Sequence, residues 1–248
     1  MKVLILGGTA EARALAADLH SREDCRVVSS LAGRVGDPAL PEGEVRIGGF
    51  GGAAGLARYL RDESIDTFVD ATHPFALHIS AQAAQAADES RVRLIALRRP
   101  GWSAQPGDRW ICVNDVIEAA RFAAQLPEDG CVFVTTGRRD LEAFAGDARH
   151  SYLIRSIEPP ATVLPPRHTV VLDRGPFTLD EEAALMERYA VTALVTRNSG
   201  GEATEAKLTA ARRRGIPVII VDPPAPPVGV EVAADVAAAV ELLGFEAR

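Results

Sequence analysis

The sequence predicts an α/β protein made of two successive doubly wound, parallel-sheet domains. Three observations lead there. Short apolar runs alternate with longer helical stretches along the whole chain. The runs are continuously apolar, as in strands of a parallel sheet covered on both faces. The alternation then loosens over residues 98–112 and breaks between Pro127 and Gly130, after which a second series begins.

The elements follow in order. Residues 3–6 form a buried strand that stops at Gly7-Gly8, and residues 10–20 carry Ala14, Leu15 and Leu19 at helical spacing. Strands are expected over 26–29, 44–47, 67–70 and 94–97, with helices over 52–61 and 75–88. Residues 110–113 read as a short strand, and Asn114 as the cap of a helix over 116–125. The second series has strands at 131–134, 152–154, 170–172, 193–196 and 218–221. Its helices are a short one at 140–144, one at 178–189 capped by Thr178, one at 203–213 and a closing one at 233–243. Asp180, Glu181 and Glu182 in a first turn suit the helix dipole. The domain boundary falls between residues 127 and 128, giving domains 1–127 and 128–248.

Composition narrows the function classes. A formal net charge of −7 argues against a nucleic-acid footprint, although Arg98-Arg99, Arg138-Arg139 and Arg212-Arg213-Arg214 are local basic clusters. The arginine trio is expected to be a solvated helix face. Cys25, Cys112 and Cys131 lie far apart without a Cys-x-x-Cys pattern, so they read as buried small residues of a reduced, cytoplasmic protein. No run reaches the ~18 apolar residues of a membrane span, and the N-terminal apolar run is too short for a signal-peptide core. The sequence carries no signal of oligomeric state.

In open α/β sheets, ligands bind outside the carboxyl ends of the strands. Five loops there carry unusual residues. Gly7-Gly8-Thr9 precedes a helix whose free N–H groups and dipole favour an oxyanion, with Thr9 as cap and hydroxyl donor; a tight turn needing small residues is the plain alternative. Ser30, Gly33 and Arg34 follow the second strand, where a dinucleotide fold meets the adenosine ribose. Serines and an arginine there tolerate a 2′-phosphate; a polar surface loop is the alternative. Asp70 ends an apolar strand, a costly place for a carboxylate unless it is satisfied, and Thr72 and His73 follow it. Thr136-Gly137-Arg138 and Thr196-Arg197-Asn198-Ser199-Gly200 each combine hydroxyls, glycine and arginine, a chemistry suited to anions. Lys207 lies about two turns of helix beyond the last loop. No Walker lysine, Gly-x-Ser-x-Gly elbow or zinc pattern is present, and no metal site is expected.

Taken together these loops resemble the precorrin-6A reductase family of cobalamin biosynthesis. The resemblance rests on Leu6-Gly7-Gly8-Thr9-Ala10-Glu11-Ala12, Ser30-Leu31-Ala32-Gly33-Arg34, Asp70-Ala71-Thr72-His73-Pro74-Phe75-Ala76, Thr136-Gly137-Arg138 and Thr196-Arg197-Asn198-Ser199-Gly200-Gly201, in family order. Arg197 stands where a lysine is also familiar. The resemblance implies flavodoxin/Rossmann-like domains with NADPH in a cleft between them. It implies reduction of precorrin-6A to precorrin-6B, with hydride going to C19 and a proton to C18. No flavin, metal, nucleic acid or membrane is implied; the partner is a small-molecule tetrapyrrole. Cofactor contacts would come from Gly7, Gly8, Thr9, Ser30, Gly33, Arg34, Asp70, Thr72, Thr136, Gly137, Arg138, Thr196, Arg197, Asn198, Ser199 and Gly200. His73 and Lys207 are the candidates for proton delivery. Another NAD(P)-dependent reductase, or a non-enzymatic nucleotide-binding module, would share the same frame.

Overall fold

The computed structural model describes residues 1–32, 40–127 and 129–246. The chain divides into two compact units, one of residues 1–100 and 224–248, the other of residues 101–223. The first unit begins with β1 (Lys2–Leu6), α1 (Ala10–His20), β2 (Arg26–Leu31), β3 (Glu44–Ile47), α2 (Ala53–Asp62), β4 (Thr67–Asp70), α3 (Leu77–Ser90) and β5 (Arg93–Leu97). The second contains β6 (Trp110–Val113), α4 (Val116–Ala123), β7 (Cys131–Val134), a 3-10 turn (Leu141–Phe144), β8 (Ser151–Ser156) and β9 (His168–Leu172). It continues with α5 (Leu179–Arg188), β10 (Val191–Arg197), a second 3-10 turn (Glu202–Thr204), α6 (Ala206–Arg214) and β11 (Val218–Val221). The chain then returns to the first unit with β12 (Glu231–Ala233) and α7 (Val236–Leu242).

Each unit has one six-stranded sheet, ordered β3-β2-β1-β4-β5-β12 in the first and β9-β8-β7-β10-β11-β6 in the second. Every pairing is parallel. Both orders are the doubly wound dinucleotide-fold order, with a switch point between β1 and β4 and another between β7 and β10. The fold is thus the expected α/β class with Rossmann-like sheets.

The boundary expected between residues 127 and 128 is corrected. The strand–helix pair β6–α4, read with the first domain, pairs β6 with β11 of the second sheet. The strand β12, not expected from the sequence and lying just ahead of the closing helix read over 233–243, pairs with β5 of the first. Each sheet therefore takes its sixth strand from the far side of the expected boundary. Local pattern can identify a short apolar strand, but the choice of edge is made by long-range hydrogen bonding.

Period-two alternation along the strands divides the first core. Val3 and Ile5 of β1 pack on one face with Leu15 and Leu19 of α1 and Val240 of α7. Leu4 and Leu6 face the opposite way, against Leu56 and Leu60 of α2 and Ala83 of α3. In the second unit, Phe133, Leu194 and Ile220 pack with Met186 of α5 and Leu208 of α6. Caps set the helix starts: the Thr9 hydroxyl accepts from Ala12 N, and Thr178 and Glu181 form a capping box. Asp115, not Asn114, caps α4, accepting from Glu118 N at 2.7 Å. Cys25 and Cys131 are buried but Cys112 is exposed, so only two of the three cysteines are packing residues. Among the described residues no helix is long and apolar enough to cross a membrane.

Candidate functional site

The first switch point is organised around Gly7-Gly8-Thr9. Gly7 N donates to Ser30 O at 2.9 Å, tying the end of β1 to the end of β2. Gly8 has φ +122°, a conformation that favours glycine, and a Cβ placed there would meet nothing within 4 Å. The backbone is therefore open above Gly8, at the N-terminus of α1, a geometry suited to an anion. Thr9 caps α1 as expected, but its hydroxyl proton goes to Ala71 O at 2.8 Å. Its side chain bridges two loops and is not left to donate to a ligand.

Asp70 is likewise spoken for. Its Oδ1 accepts from Thr72 N at 3.1 Å and Thr72 Oγ1 at 2.6 Å, and its Oδ2 from Arg98. Arg98 also donates to Asp70 O, Thr72 O, Leu97 O and Ser80 Oγ. The Asp70 and Thr72 side chains, expected as cofactor contacts, are thus bonded into an internal frame. Burying the carboxylate demands such partners. Next to it, Arg99 binds Glu11 at 2.7 Å. Burial, the largest single influence, would raise the Glu11 carboxyl, but the bond and charge of Arg99, together with hydrogen bonds from the Glu11 backbone N–H and from Thr9, hold the group below its ordinary value.

His73 is exposed just beyond this frame. Its Nδ1 accepts from Phe75 N at 3.3 Å, so in the neutral ring Nε2 carries the proton. Ser30 is buried, and its Oγ accepts from Arg46 Nη1 at 3.3 Å. Arg46 also donates to Gly48 O and Gly49 O and lies 3.9 Å over the Phe50 ring. Arg46 and Arg98 are the organising cations here; the sequence marks Arg98 only as part of a basic cluster and does not mark Arg46 at all. The costly position of Asp70 was the signal for Arg98. Gly33 and Arg34 lie outside the described residues.

The second switch point brings together Thr136, Gly137, Arg138 and the loop after β10. Thr136 is buried and its Oγ1 has no hydrogen-bond partner among the described residues. Gly137 has φ +84° with open space above it. Arg138 pairs with Glu158, and Arg197 with Asp140 at 3.0 Å. Burial pushes the Arg197 guanidinium down, while Asp140 acts against that shift. Thr196 is buried, and Gly200 and Gly201 both have positive φ. Ser199 N donates to Arg197 O at 2.9 Å.

Two expectations change here. The Asn198 amide is turned away from ligand duty: Oδ1 accepts from Trp102 N at 2.6 Å, and Nδ2 reaches Trp102 O and Asp222 Oδ1. Lys207 is only 3 % exposed, its ammonium donating to Thr204 O and facing the Trp102 ring. An amine enclosed in this way is badly placed to hand a proton to a substrate. Among the described residues no cluster of three or more His, Cys, Asp or Glu could hold a metal ion.

Comparison with known proteins agrees with this arrangement. The family model described as precorrin-6x reductase CbiJ/CobK matches residues 2–244. The chain is 50 % identical to the precorrin-6A reductase of Rhodococcus erythropolis, covering 100 % of this chain and 99 % of that one. It is 51 % identical over 230 residues to that of Mycobacterium tuberculosis H37Rv, covering 92 % of this chain and 91 % of the other. The solved structure described as CobK precorrin-6A reductase superimposes with a TM-score of 0.88 at 41 % identity, covering 100 % and 99 % of the two chains. The chain belongs to the precorrin-6x reductase CbiJ/CobK family.

Proposed function

We propose that this protein reduces precorrin-6A to precorrin-6B with NADPH, hydride entering at C19 and a proton at C18. The observation that carries the reading is placement. The blocks resembling the family sit at the carboxyl ends of parallel strands around two switch points, in a chain half identical to a relative of that name. NADPH when bound supplies the hydride, and the protein supplies orientation and electrostatics. Gly7, Gly8 and the N-terminus of α1 receive the pyrophosphate. Ser30 and Arg34 meet the adenosine ribose and its 2′-phosphate. Thr136, Gly137, Arg138, Arg197 and Ser199 offer hydroxyls and cations to the anionic groups of cofactor and substrate. Asp70, Thr72, Thr196 and Asn198 hold these loops in shape. His73, an exposed side chain on the loop after β4, is the candidate for polarising the substrate or delivering a proton.

The relatives' names favour a cobalt-free substrate. Those at 50 %, 48 % and 43 % identity are precorrin-6A reductases, whereas cobalt-precorrin-6A reductases match at 28 % and 29 %.

The test is anaerobic single turnover of precorrin-6A with NADPH deuterated on the transferring carbon. Deuterium at C19 of the product is expected. Turnover of simpler enones but not of precorrin-6A would point to another reductase, and NADPH binding without transfer to a nucleotide-binding module. Arg34→Ala should weaken NADPH by about tenfold or more while sparing NADH, since a charged hydrogen bond is worth about 1.5–3 kcal/mol. Equal losses for both cofactors would remove Arg34 from the 2′-phosphate.

A further inference from the structure

Behind the loop after β10 lies a buried charged cluster that the proposed chemistry does not use. Glu182 of α5 is fully buried, and its Oε1 accepts from Arg155 of β8 at 2.7 Å. Its Oε2 has no hydrogen-bond partner among the described residues. The Arg155 guanidinium lies 3.7 Å over the Phe177 ring and 5.0 Å over Phe133. The third member is Lys207 in the first turn of α6. It donates to Thr204 O, the last carbonyl of the 3-10 turn, and sits 4.8 Å from the Trp102 ring centroid.

Trp102 carries that contact into the ligand loop. Its indole Nε1 donates to Gly201 O at 3.1 Å, and its backbone N and O bond the Asn198 amide. A Cβ on the preceding Gly101 would lie 2.7 Å from Asn198 Oδ1, so the two segments touch without room for a side chain. The loop from Asn198 to Thr204 is thus held at both ends, by Trp102 near its start and by Lys207 at its finish.

We propose that Lys207 is a positioning residue: its buried ammonium, held between the Thr204 carbonyl and the Trp102 ring, locks the loop after β10 in the form that binds the anionic ligand. This rests on the reading of that loop as a ligand loop. The lock is sensitive to protons. Burial pushes the Lys207 ammonium down to about 7; Glu182 and Glu205 favour its charge and Arg155 opposes it. As pH rises through that value the amine loses its charge, and the attraction to the indole face goes with it. By linkage, a ligand that requires the locked loop strengthens the amine's hold on its proton. NADPH binding therefore takes up a fraction of a proton just above neutrality.

The chain has two tryptophans, so Trp110→Phe leaves Trp102 as the only indole reporter. In ligand-free W110F protein, Trp102 emission should titrate with a midpoint near neutrality. The titration should vanish in K207M and in K207R, whose guanidinium stays charged. Calorimetry of NADPH binding in buffers of different ionisation heat should show proton uptake by wild type and none by K207R. The wild-type KM for NADPH should climb with pH, by at most about tenfold per unit as one proton allows, and should be flat in K207R. A merely structural lysine would lower affinity equally at every pH. Trp102 emission that titrates unchanged in both variants would overturn the proposal. If Arg197→Ala leaves NADPH and precorrin-6A binding untouched, the reading of the loop fails and the proposal with it. If Arg197→Ala weakens either ligand while K207R keeps the wild-type pH profile, Lys207 alone loses its role.

Discussion

Replacing Arg98 by Met tests the frame beneath the His73 loop. Among the described residues the Arg98 side chain makes five hydrogen bonds, to Asp70 O and Oδ2, Thr72 O, Leu97 O and Ser80 Oγ. Its side chain is 12 % exposed and that of Asp70 only 3 %, so the pair is a buried one. Removing one partner of such a pair costs about 3–5 kcal/mol, mostly because the other charge stays buried. Thr72 still donates twice to Asp70 Oδ1, which softens the loss towards the lower figure, about 3 kcal/mol. The double variant Asp70→Asn/Arg98→Met keeps an acceptor for Thr72 and removes the stranded charge. It should recover at least about 1 kcal/mol of that loss, since an unpaired amide costs less than an unpaired ion. The assay separates the two units. Both tryptophans belong to the second, so denaturation followed by tryptophan emission reports that unit, while hydrogen exchange of β1 and β4 reports the first. The exchange-detected stability should fall and the fluorescence midpoint should stay. A loss below about 1 kcal/mol, or a double variant no more stable than R98M, would refute the view of Asp70 as a charge held by Arg98.

Other outcomes follow from single sites. Asp147 Oδ2 binds His150 Nδ1 at 2.6 Å and the Tyr152 hydroxyl at 2.8 Å. Burial raises the carboxyl, but these bonds outweigh it and set it at about 2, below its usual 3.8. A depressed carboxyl stabilises above its unfolded value and loses that contribution as pH falls through the folded one. Acid denaturation should thus cost the wild type about 2 kcal/mol more than Asp147→Asn between roughly pH 5 and pH 1. Thr178→Ala removes one arm of the capping box on α5 and should lower the stability of the second unit by about 1 kcal/mol in urea titrations. Gly8→Ala has room for its Cβ but not for its φ of +122°. NADPH affinity should drop more than tenfold with little change in the second unit's midpoint; unchanged affinity would move the pyrophosphate away from this turn. His73→Ala should slow single-turnover reduction while leaving NADPH affinity intact, and an unchanged rate would end its chemical role.

Much of the candidate site was legible because its signals are local. Gly7-Gly8-Thr9 ends an apolar run, and the Asp-Ala-Thr-His-Pro-Phe-Ala block ends another, so each falls at a carboxyl strand end as soon as the strands are recognised. Less legible was which of those side chains face outward. Thr9, Asp70 and Asn198 are all of a type that binds ligands, yet each is consumed by a partner 62, 28 or 96 residues away. Lys207 sits at helical distance from a loop rich in hydroxyls, glycine and arginine, but the rotation of α6 turns it into the core.

The sequence by itself determined the class of fold, nearly every strand and helix, the loops that carry polar residues, and a resemblance distinctive enough to name a family. These depend on short-range patterns: apolar runs, caps, glycines and motif order. Tertiary structure alone decided the exchange of edge strands, with β6 completing the second sheet and β12 the first. It also decided which polar groups of the loops, such as Thr9, Asp70 and Asn198, are bonded within the fold. The physical reason is the same in both cases. A strand edge and a buried charge are each satisfied by whichever partner the folded chain brings alongside, and that partner leaves no mark in the residues next to them.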